Sequence, residues 1–235
     1  MKILGIDTAT SSASVAILDG NTVLAETRSD TTGHRADLLV LVDAVCTGAG
    51  ITARDLDSVA IGAGPGSFTG LRIGMATAKG IAFAASRPLW AVSSLAALAH
   101  AELEADPSGI VVAVLDARRG EVYAGAYRIA GDAPADATIA RSLVLVGEER
   151  VLPPAELTRF APAGARFTGD AADAYPDLAQ LPGTWTRTPS GASVAKLAIA
   201  GARVDVLVSG APTYIRPSEA EVKYPDGVPG ALRKR

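Results

Sequence analysis

Short apolar runs alternate along this chain with segments whose apolar residues recur at helical spacing. Residues 2–7 (KILGID) and 58–63 (SVAIGA) are continuous apolar runs, which are typical of strands buried on both faces. Residues 13–18 and 22–28 flank the turn Asp19-Gly20-Asn21, a pattern that predicts a β-hairpin. Strands that alternate with helices favour an α/β fold with mixed sheets.

Three helices are predicted in the first half of the chain and one near its end. The first begins near His34, because apolar residues then recur at i, i+3, i+4 and i+7, namely at Leu38, Leu41, Val42 and Val45. The second follows residue 66 and runs to about Ser86, where the next two residues, Arg and Pro, end it. A third begins at Ser93, after the predicted strand LWAV, and a fourth is expected over residues 193–203. Residues 132–189 are rich in Ala, Pro and Gly and give no clear element.

Two segments share one pattern: a buried strand that ends in an aspartate, a polar turn, and a strand that runs back. The first is KILGIDTATSSASVAILDG, with Asp7, and the second is IVVAVLDARRGEVYAGAYRIA, with Asp116. We interpret them as a divergent internal repeat, and therefore as two related lobes. Asp106-Pro107-Ser108-Gly109 is the predicted linker, which divides the chain into residues 1–105 and 106–235.

The composition argues against several classes of protein function. The 235 residues are 49% apolar and carry a net charge of −3, so the chain as a whole lacks the positive charge typical of nucleic-acid binding. Arg233-Lys234-Arg235 is interpreted as a solvated terminus. Cys46 is the single cysteine, which excludes an internal disulfide and a cysteine-based zinc site. With no signal peptide and no run of about 18 apolar residues, we expect a cytoplasmic protein without membrane contact.

The stretch GAGPGSFTGLRIGMATAKG, residues 62–80, joins a glycine loop to a helix. Such a loop either binds phosphate or lets two helices pack closely. No lysine follows the glycines as in a P-loop, Thr69 replaces the third glycine of a dinucleotide motif, and Pro65 breaks a nucleophile elbow around Ser67. Ser67 or Thr69 is predicted to cap the helix, which leaves amide groups for an anion with Arg72 one turn further on.

Small residues make the predicted second helix thin. Its apolar face contains Leu71, Met75, Ala78 and Ala82, while Gly74, Ala76 and Gly80 lie between them. A glycine inside a helix costs about 1 kcal/mol relative to alanine, so close approach of another backbone is expected to compensate. We favour a contact with another subunit, and packing against the chain's own sheet is the alternative.

Few residues are available for catalysis by the chain itself. Asp7 and Asp116 each end a strand, where a carboxylate can hold Mg²⁺ or orient water beside a phosphate; they can equally accept hydrogen bonds from turn amides. As a matched pair they favour inherited phosphate-loop positions. His34 and His100 are the only histidines and are far apart, so no metal site is expected. No Ser/His/Asp set is recognisable, and Cys46 has no base near it in the sequence.

The chain resembles the TsaB (YeaZ-type) family over nearly its whole length. The shared segments are ILGIDTATSSASVAI, GHRADLLV, GAGPGSFTGLRIGMATAKG, LDARRGEVYAGAY, FTGDAA and APTYIRP, in that order. The resemblance implies an actin/Hsp70-like (ribonuclease H-like) two-lobed fold with a shortened second lobe. It also implies a non-catalytic scaffold or activator in the formation of N6-threonylcarbamoyladenosine in tRNA.

The resemblance further implies partners and site residues. The chain is expected to dock through its first two helices to a TsaD-like catalytic paralogue, to assemble with a TsaE-like ATPase, and to form a homodimer through the same surface. It is expected to need no cofactor of its own, with ATP, Mg²⁺ and the catalytic metal on the partner subunits. The expected partner interface comprises His34, Leu38, Leu41, Val42, Val45, Leu71, Arg72, Met75 and Lys79. The expected vestigial phosphate-loop or nucleotide-facing residues are Asp7, Thr8, Gly66, Ser67, Thr69, Asp116 and Arg119.

Two alternative functions stay open at this point. One is an independent Mg-ATP-using enzyme of the sugar-kinase or Hsp70 class, with Asp7 and Asp116 around the nucleotide. The other is a peptidase, for which the sequence offers neither a nucleophile–base pair nor a metal set. For the scaffold hypothesis, we expect that a charged residue in place of Met75 or Val42 disrupts association and leaves the monomer folded.

Overall fold

A computed structural model describes the protein over residues 1–29, 38–131, 141–185, 187–201, 203–208 and 210–216. These residues form two mixed β-sheets with helices between them and on their outer faces. The strands are β1 (Lys2–Asp7), β2 (Ser14–Asp19), β3 (Thr22–Arg28), β4 (Ser58–Gly62), β5 (Leu89–Val92), β6 (Val111–Arg118), β7 (Glu121–Ile129), β8 (Leu143–Leu145), β9 (Arg150–Leu152), β10 (Arg166–Gly169), β11 (Gly183–Thr184) and β12 (Val204–Asp205). The helices are α1 (Leu38–Ala49), α2 (Phe68–Ala85), α3 (Ser94–Ala105), α4 (Leu157–Phe160), α5 (Ala171–Ala174) and α6 (Gly191–Ile199), with 3₁₀ turns at Ala53–Asp55, Pro154–Glu156 and Pro176–Gln180.

The two sheets repeat one strand order. The first has the order β5-β4-β1-β2-β3, with β12 added beside β5, and the second has the order β11-β10-β6-β7-β8, with β9 also paired to β7. In each sheet an antiparallel hairpin, β1-β2 or β6-β7, has a parallel strand on the other side of its first strand. This correspondence confirms the predicted internal repeat and the predicted two-lobed α/β fold class.

The central strands of the first sheet are buried on both faces, which explains the continuous apolar character of β1. Leu4 and Ile6 point into the core beneath α1 and α2, whereas Ile3 points into the core beneath α6. Helix α3 packs on β6 and β7 and also contacts α6. Helices α3 and α6 therefore form a layer between the two sheets.

Helix α6 lies unusually close to β1. A side chain at Gly5 would collide with the carbonyl oxygen of Gly191, and one at Gly191 would collide with the backbone of β1 and β2. Two glycines facing each other permit this approach, because neither has a Cβ atom. The chain thus returns to the first sheet after completing the second.

This return changes the predicted domain organisation. The predicted division between residues 1–105 and 106–235 falls between the end of α3 and the start of β6. However, residues 106–235 do not form one lobe, because α6 packs on the first sheet and β12 pairs with β5. The reason is that α6 is buried nearly all around its circumference, so it needs both the first sheet and α3 as neighbours.

Candidate functional site

A cleft of about 1040 Å³ opens between the two lobes. The turn after β1 and the amino end of α2 form its first-lobe wall, and the β6–β7 hairpin and α5 form its second-lobe wall. Tyr214 and Arg216 also line it. Of the residues predicted to face a nucleotide, the cleft brings together Gly66, Ser67, Asp116 and Arg119.

Asp7 lies behind the cleft wall, contrary to its predicted role. Its side chain is buried and is absent from the cleft lining. One carboxylate oxygen, Oδ1, accepts a hydrogen bond from the Ala9 amide at 2.8 Å, and Oδ2 accepts one from the Ser94 hydroxyl at 2.7 Å. Burial raises the pKa of Asp7 from 3.8 to about 6, against the lowering effect of these two hydrogen bonds. Both carboxylate oxygens are therefore held inside the first lobe, one by the turn after β1 and the other by α3.

Thr8 and Thr69 do not line the cleft either, contrary to the sequence prediction. The Thr8 hydroxyl donates a hydrogen bond to the carbonyl oxygen of Gly70 at 2.9 Å and is buried. A side chain at Gly74 would collide with Thr8, so α2 is thin on this side to admit the β1 turn. Thr69 is exposed but does not line the cleft. The alternative of internal packing thus explains part of the small-residue pattern of α2.

Ser67 caps α2, as predicted. Its hydroxyl accepts a hydrogen bond from the Gly70 amide at 3.3 Å, and its own amide donates to the Ala9 carbonyl oxygen at 2.6 Å. The helix ends at Ala85, where Ser86 adopts a left-handed conformation with φ 55°. The capping hydroxyl satisfies one of the amide groups that a helix start leaves without a partner.

The second-lobe wall contains Asp116, the counterpart of Asp7 in the repeat. Its Oδ1 accepts a hydrogen bond from the Arg118 amide at 2.7 Å, and its Oδ2 forms an ion pair with the Arg118 side chain at 3.1 Å. Arg118 and Arg119 adopt left-handed conformations, with φ 62° and 59°, so both side chains project from a tight turn. Burial raises the pKa of Asp170 to about 6, and its Oδ1 accepts a hydrogen bond from the Asp116 amide at 3.1 Å.

The two strand-end aspartates differ in their access to the cleft. Asp7 cannot reach the cleft, and Asp116 is held by its own hairpin. Within the described parts of the chain, no group of three or more His, Cys, Asp or Glu side chains is arranged to hold a metal ion. His100 is buried in α3, and burial lowers its pKa to about 4.

The predicted partner-interface residues of α1 and α2 lie in the protein's own core. Leu38, Leu41, Val42 and Val45 of α1 and Leu71 and Met75 of α2 are all buried, which contradicts their prediction as exposed residues. The reason is that an apolar stripe at helical spacing is the face that packs on the chain's own sheet. His34 lies outside the described residues.

The exposed sides of α1 and α2 carry a different apolar set. Leu39 and Val40 of α1 are 56% and 62% exposed, and Ile73 and Phe83 of α2 are 40% and 79% exposed. Between Ile73 and Phe83, the exposed side of α2 carries the small residues Ala76 and Gly80. We call these six residues the outer face.

Arg72 and Lys79 contact the C-terminal part of the chain. The guanidinium group of Arg72 stacks 3.8 Å from the centroid of the Phe68 ring and donates a hydrogen bond to the Tyr214 hydroxyl at 3.2 Å. The Lys79 ammonium group donates to the Gly210 carbonyl oxygen at 2.6 Å. Both predicted interface residues therefore hold the segment that contains Tyr214.

Both the sequence and the fold of this chain match those of known proteins. The family described as "TsaD: tRNA N6-adenosine threonylcarbamoyltransferase" matches residues 27–178. The solved structure of YeaZ from Pseudomonas aeruginosa is 30% identical and superposes with a TM-score of 0.74, covering 91% of this chain and 99% of that one. The chain belongs to the TsaB (YeaZ) family.

Curated TsaB-family relatives align over part of their length. The tRNA threonylcarbamoyladenosine biosynthesis protein TsaB of Escherichia coli is 40% identical over 128 residues, which are 54% of this chain and 55% of that protein. The protein of the same name from Bacillus subtilis is 36% identical over 129 residues, or 54% and 56%. The matched region therefore spans about half the length of these relatives.

Several residues that shape the cleft of this TsaB-family protein carry no recognisable signal in the sequence. Ser94 binds Asp7 from 87 positions away, and Tyr214 and Arg216 reach the cleft from the C-terminal segment. The polar residues of APTYIRP give no periodic signal. Among the described residues, no helix combines the length and the apolar character that crossing a membrane requires.

Replacing Asp7 tests whether its carboxyl group serves folding or chemistry in this TsaB-family protein. Its folded pKa of about 6 lies above 3.8, so the folded chain keeps a proton that the unfolded chain releases. The protonated Asp7 carboxyl group therefore stabilises the fold relative to the charged one. This stabilisation is fully present below about pH 4 and is lost as the pH rises through about 6. Asp7→Asn is therefore expected to raise the free energy of unfolding at pH 7.5 by about 2 kcal/mol relative to the unsubstituted chain, with little difference at pH 4.

Urea unfolding at the two pH values measures this difference. His100 has the opposite pH dependence, since its lowered pKa makes stability fall as the pH falls from 6.5 towards 4; it is present in both proteins and cancels. Asp177→Asn, at an exposed position, is the control and is expected to change nothing. A loss of stability in Asp7→Asn at pH 7.5 would show that the fold needs the charged carboxylate.

Proposed function

We propose that this protein is a non-catalytic scaffold or activator subunit required for forming N6-threonylcarbamoyladenosine in tRNA. The names of its curated relatives support a role in that biosynthesis. The observation that carries the non-catalytic role is the enclosure of Asp7 by Ala9 and Ser94, away from the cleft. A carboxyl group enclosed in this way is not placed to hold Mg²⁺ or to orient water beside a phosphate in the cleft.

We propose that the outer face docks a TsaD-like catalytic paralogue. An exposed apolar patch on two adjacent helices is the kind of surface that marks a protein–protein contact. Phe83 and Ile73 provide large apolar side chains at its ends, and Ala76 and Gly80 between them allow a partner backbone to approach α2 closely. The absence of any close neighbour around Gly80 supports this proposal, because a helix glycine costs stability that the chain's own packing does not recover.

The proposal extends to the rest of the assembly. The same outer face would form a homodimer with twofold symmetry in the isolated chain, so self-association and partner binding would compete. A TsaE-like ATPase would join the complex, and tRNA would be its substrate. ATP, Mg²⁺ and the catalytic metal would be bound by the partner subunits, and this chain would need no cofactor of its own.

Depletion of the protein in cells tests this function. We expect N6-threonylcarbamoyladenosine in tRNA, measured by mass spectrometry of nucleosides, to fall on depletion and to return when the unsubstituted chain is supplied. A normal nucleoside level after depletion would contradict the proposal. For the alternative of an independent Mg-ATP-using enzyme, calorimetry of the isolated chain with Mg-ATP is decisive, because tight binding would favour it.

A further inference from the structure

Residues 210–216, which we call the strap, run from α2 of the first lobe to the hairpin of the second lobe. At the first lobe, the Thr213 amide donates a hydrogen bond to the Ala63 carbonyl oxygen at 2.7 Å. The Tyr214 ring lies 5.2 Å from the Phe68 ring, between centroids. Together with the hydrogen bonds from Arg72 and Lys79, these contacts attach the strap along one side of α2.

At the second lobe, Arg216 attaches the strap to the β6–β7 hairpin. Its guanidinium group forms an ion pair with Glu121 at 2.8 Å and donates a hydrogen bond to the Ala117 carbonyl oxygen at 2.7 Å. A charge-assisted pair with a second hydrogen bond to backbone is a strong and directional attachment. Ile215, between the two anchors, packs on a core cluster that contains residues of both lobes, including Leu71 and Tyr123.

The strap and the layer of α3 and α6 both join the lobes. Neither α3 nor α6 contributes a residue to the cleft wall, whereas Tyr214 and Arg216 do. A hinge motion that opens a cleft needs one side of the molecule to separate. In this protein the strap connects the two lobes on the side where the cleft opens.

We propose that the strap is a clamp that holds the two lobes at a fixed separation across the cleft. In this protein the lobes move as one body, and the cleft keeps its width. The clamp depends on both anchors, since the strap transmits no restraint once either end is released. Release of Arg216 therefore loosens the hairpin and the amino end of α2 together.

Hydrogen exchange on the full chain tests the clamp. In Arg216→Ala, we expect amide protection to fall roughly tenfold or more in the hairpin around Arg118–Glu121 and also at the amino end of α2. Arg203→Ala is the matched control: like Arg216, Arg203 donates a hydrogen bond from its guanidinium group to a backbone carbonyl oxygen, that of Ala198 at 2.7 Å, but this contact does not join the lobes. It is expected to leave both regions unchanged. Faster exchange confined to residues 214–216 would overturn the proposal.

A distance measurement across the cleft tests the clamp independently of hydrogen exchange. Spin labels at Ser11→Cys and Asp173→Cys, on opposite walls of the cleft, with Cys46→Ala to remove the native thiol, report its width. We expect a narrow distance distribution that broadens in Arg216→Ala and also in Tyr214→Ala, with circular dichroism unchanged. An equally narrow distribution in both variants would show that the strap does not set the separation of the lobes.

Discussion

Ala76→Glu is expected to abolish association with a TsaD-like partner and to leave the chain folded. Ala76 lies in the middle of the outer face, between Ile73 and Gly80, and is exposed. In the free chain a glutamate there remains in water, so the fold loses little. In the complex it would be buried without a partner charge, which costs several kcal/mol, enough to weaken the dissociation constant by about 100-fold or more.

Titration calorimetry with the purified partner measures this effect. Ala155→Glu, the same substitution at an exposed position of the second lobe, is the control and is expected to bind normally. The homodimer of the isolated chain is expected to dissociate with Ala76→Glu, as seen by light scattering. Unchanged partner affinity in a folded Ala76→Glu variant would show that the outer face is not the docking surface.

Met75→Glu is expected to destabilise the fold severely, in contrast to the same substitution at the neighbouring Ala76. Met75 is buried in the first-lobe core with Val42 and Ile61. A glutamate there loses its hydration without gaining a partner, at a cost of about 4 kcal/mol or more. Since the free energy of unfolding of small domains is about 5–15 kcal/mol, this loss is a large part of it. The expectation from sequence, that a charge at Met75 or Val42 leaves the monomer folded, is thereby reversed.

Thermal unfolding followed by circular dichroism measures this loss. Met75→Leu keeps the volume and the apolar character of the side chain and is expected to cost under about 1.5 kcal/mol. A folded Met75→Glu chain with normal melting temperature would contradict the packing of α2 on the first sheet. The pair of substitutions at positions 75 and 76 thus separates the core side of α2 from its outer side.

The sequence predicts the architecture well because its signals are local. Apolar runs, the turn at Gly20, the cap at Ser67 and the end of α2 near Ser86 each depend on neighbouring residues. The repeat was visible because strand, aspartate and turn follow one another in both lobes. The apolar residues predicted at the partner interface on α1 and α2 are buried, because the regular apolar stripe of a helix marks its core side. Leu39 and Val40 are apolar but fall outside this stripe, and both are exposed.

The candidate site was predictable only in part because its decisive contacts join distant residues. Asp7 ends its strand as expected, but Ser94 encloses it from another helix. Arg216 reaches Glu121 across 95 positions of sequence. No periodic pattern encodes such pairs, since each depends on how the two sheets are placed. Whether a strand-end aspartate faces a ligand or its own turn is therefore a property of the tertiary structure.

Reconstitution of the tRNA modification with purified components tests the central claim most directly. The measurement is the rate of N6-threonylcarbamoyladenosine formation with a TsaD-like subunit, a TsaE-like ATPase, substrates and tRNA, using this chain or its Asp7→Asn/Asp116→Asn variant. We predict no product with the chain alone and equal rates with both forms once the partners are present. Product formed by the chain alone, or a lost rate with a double variant that still folds and docks, would contradict the account.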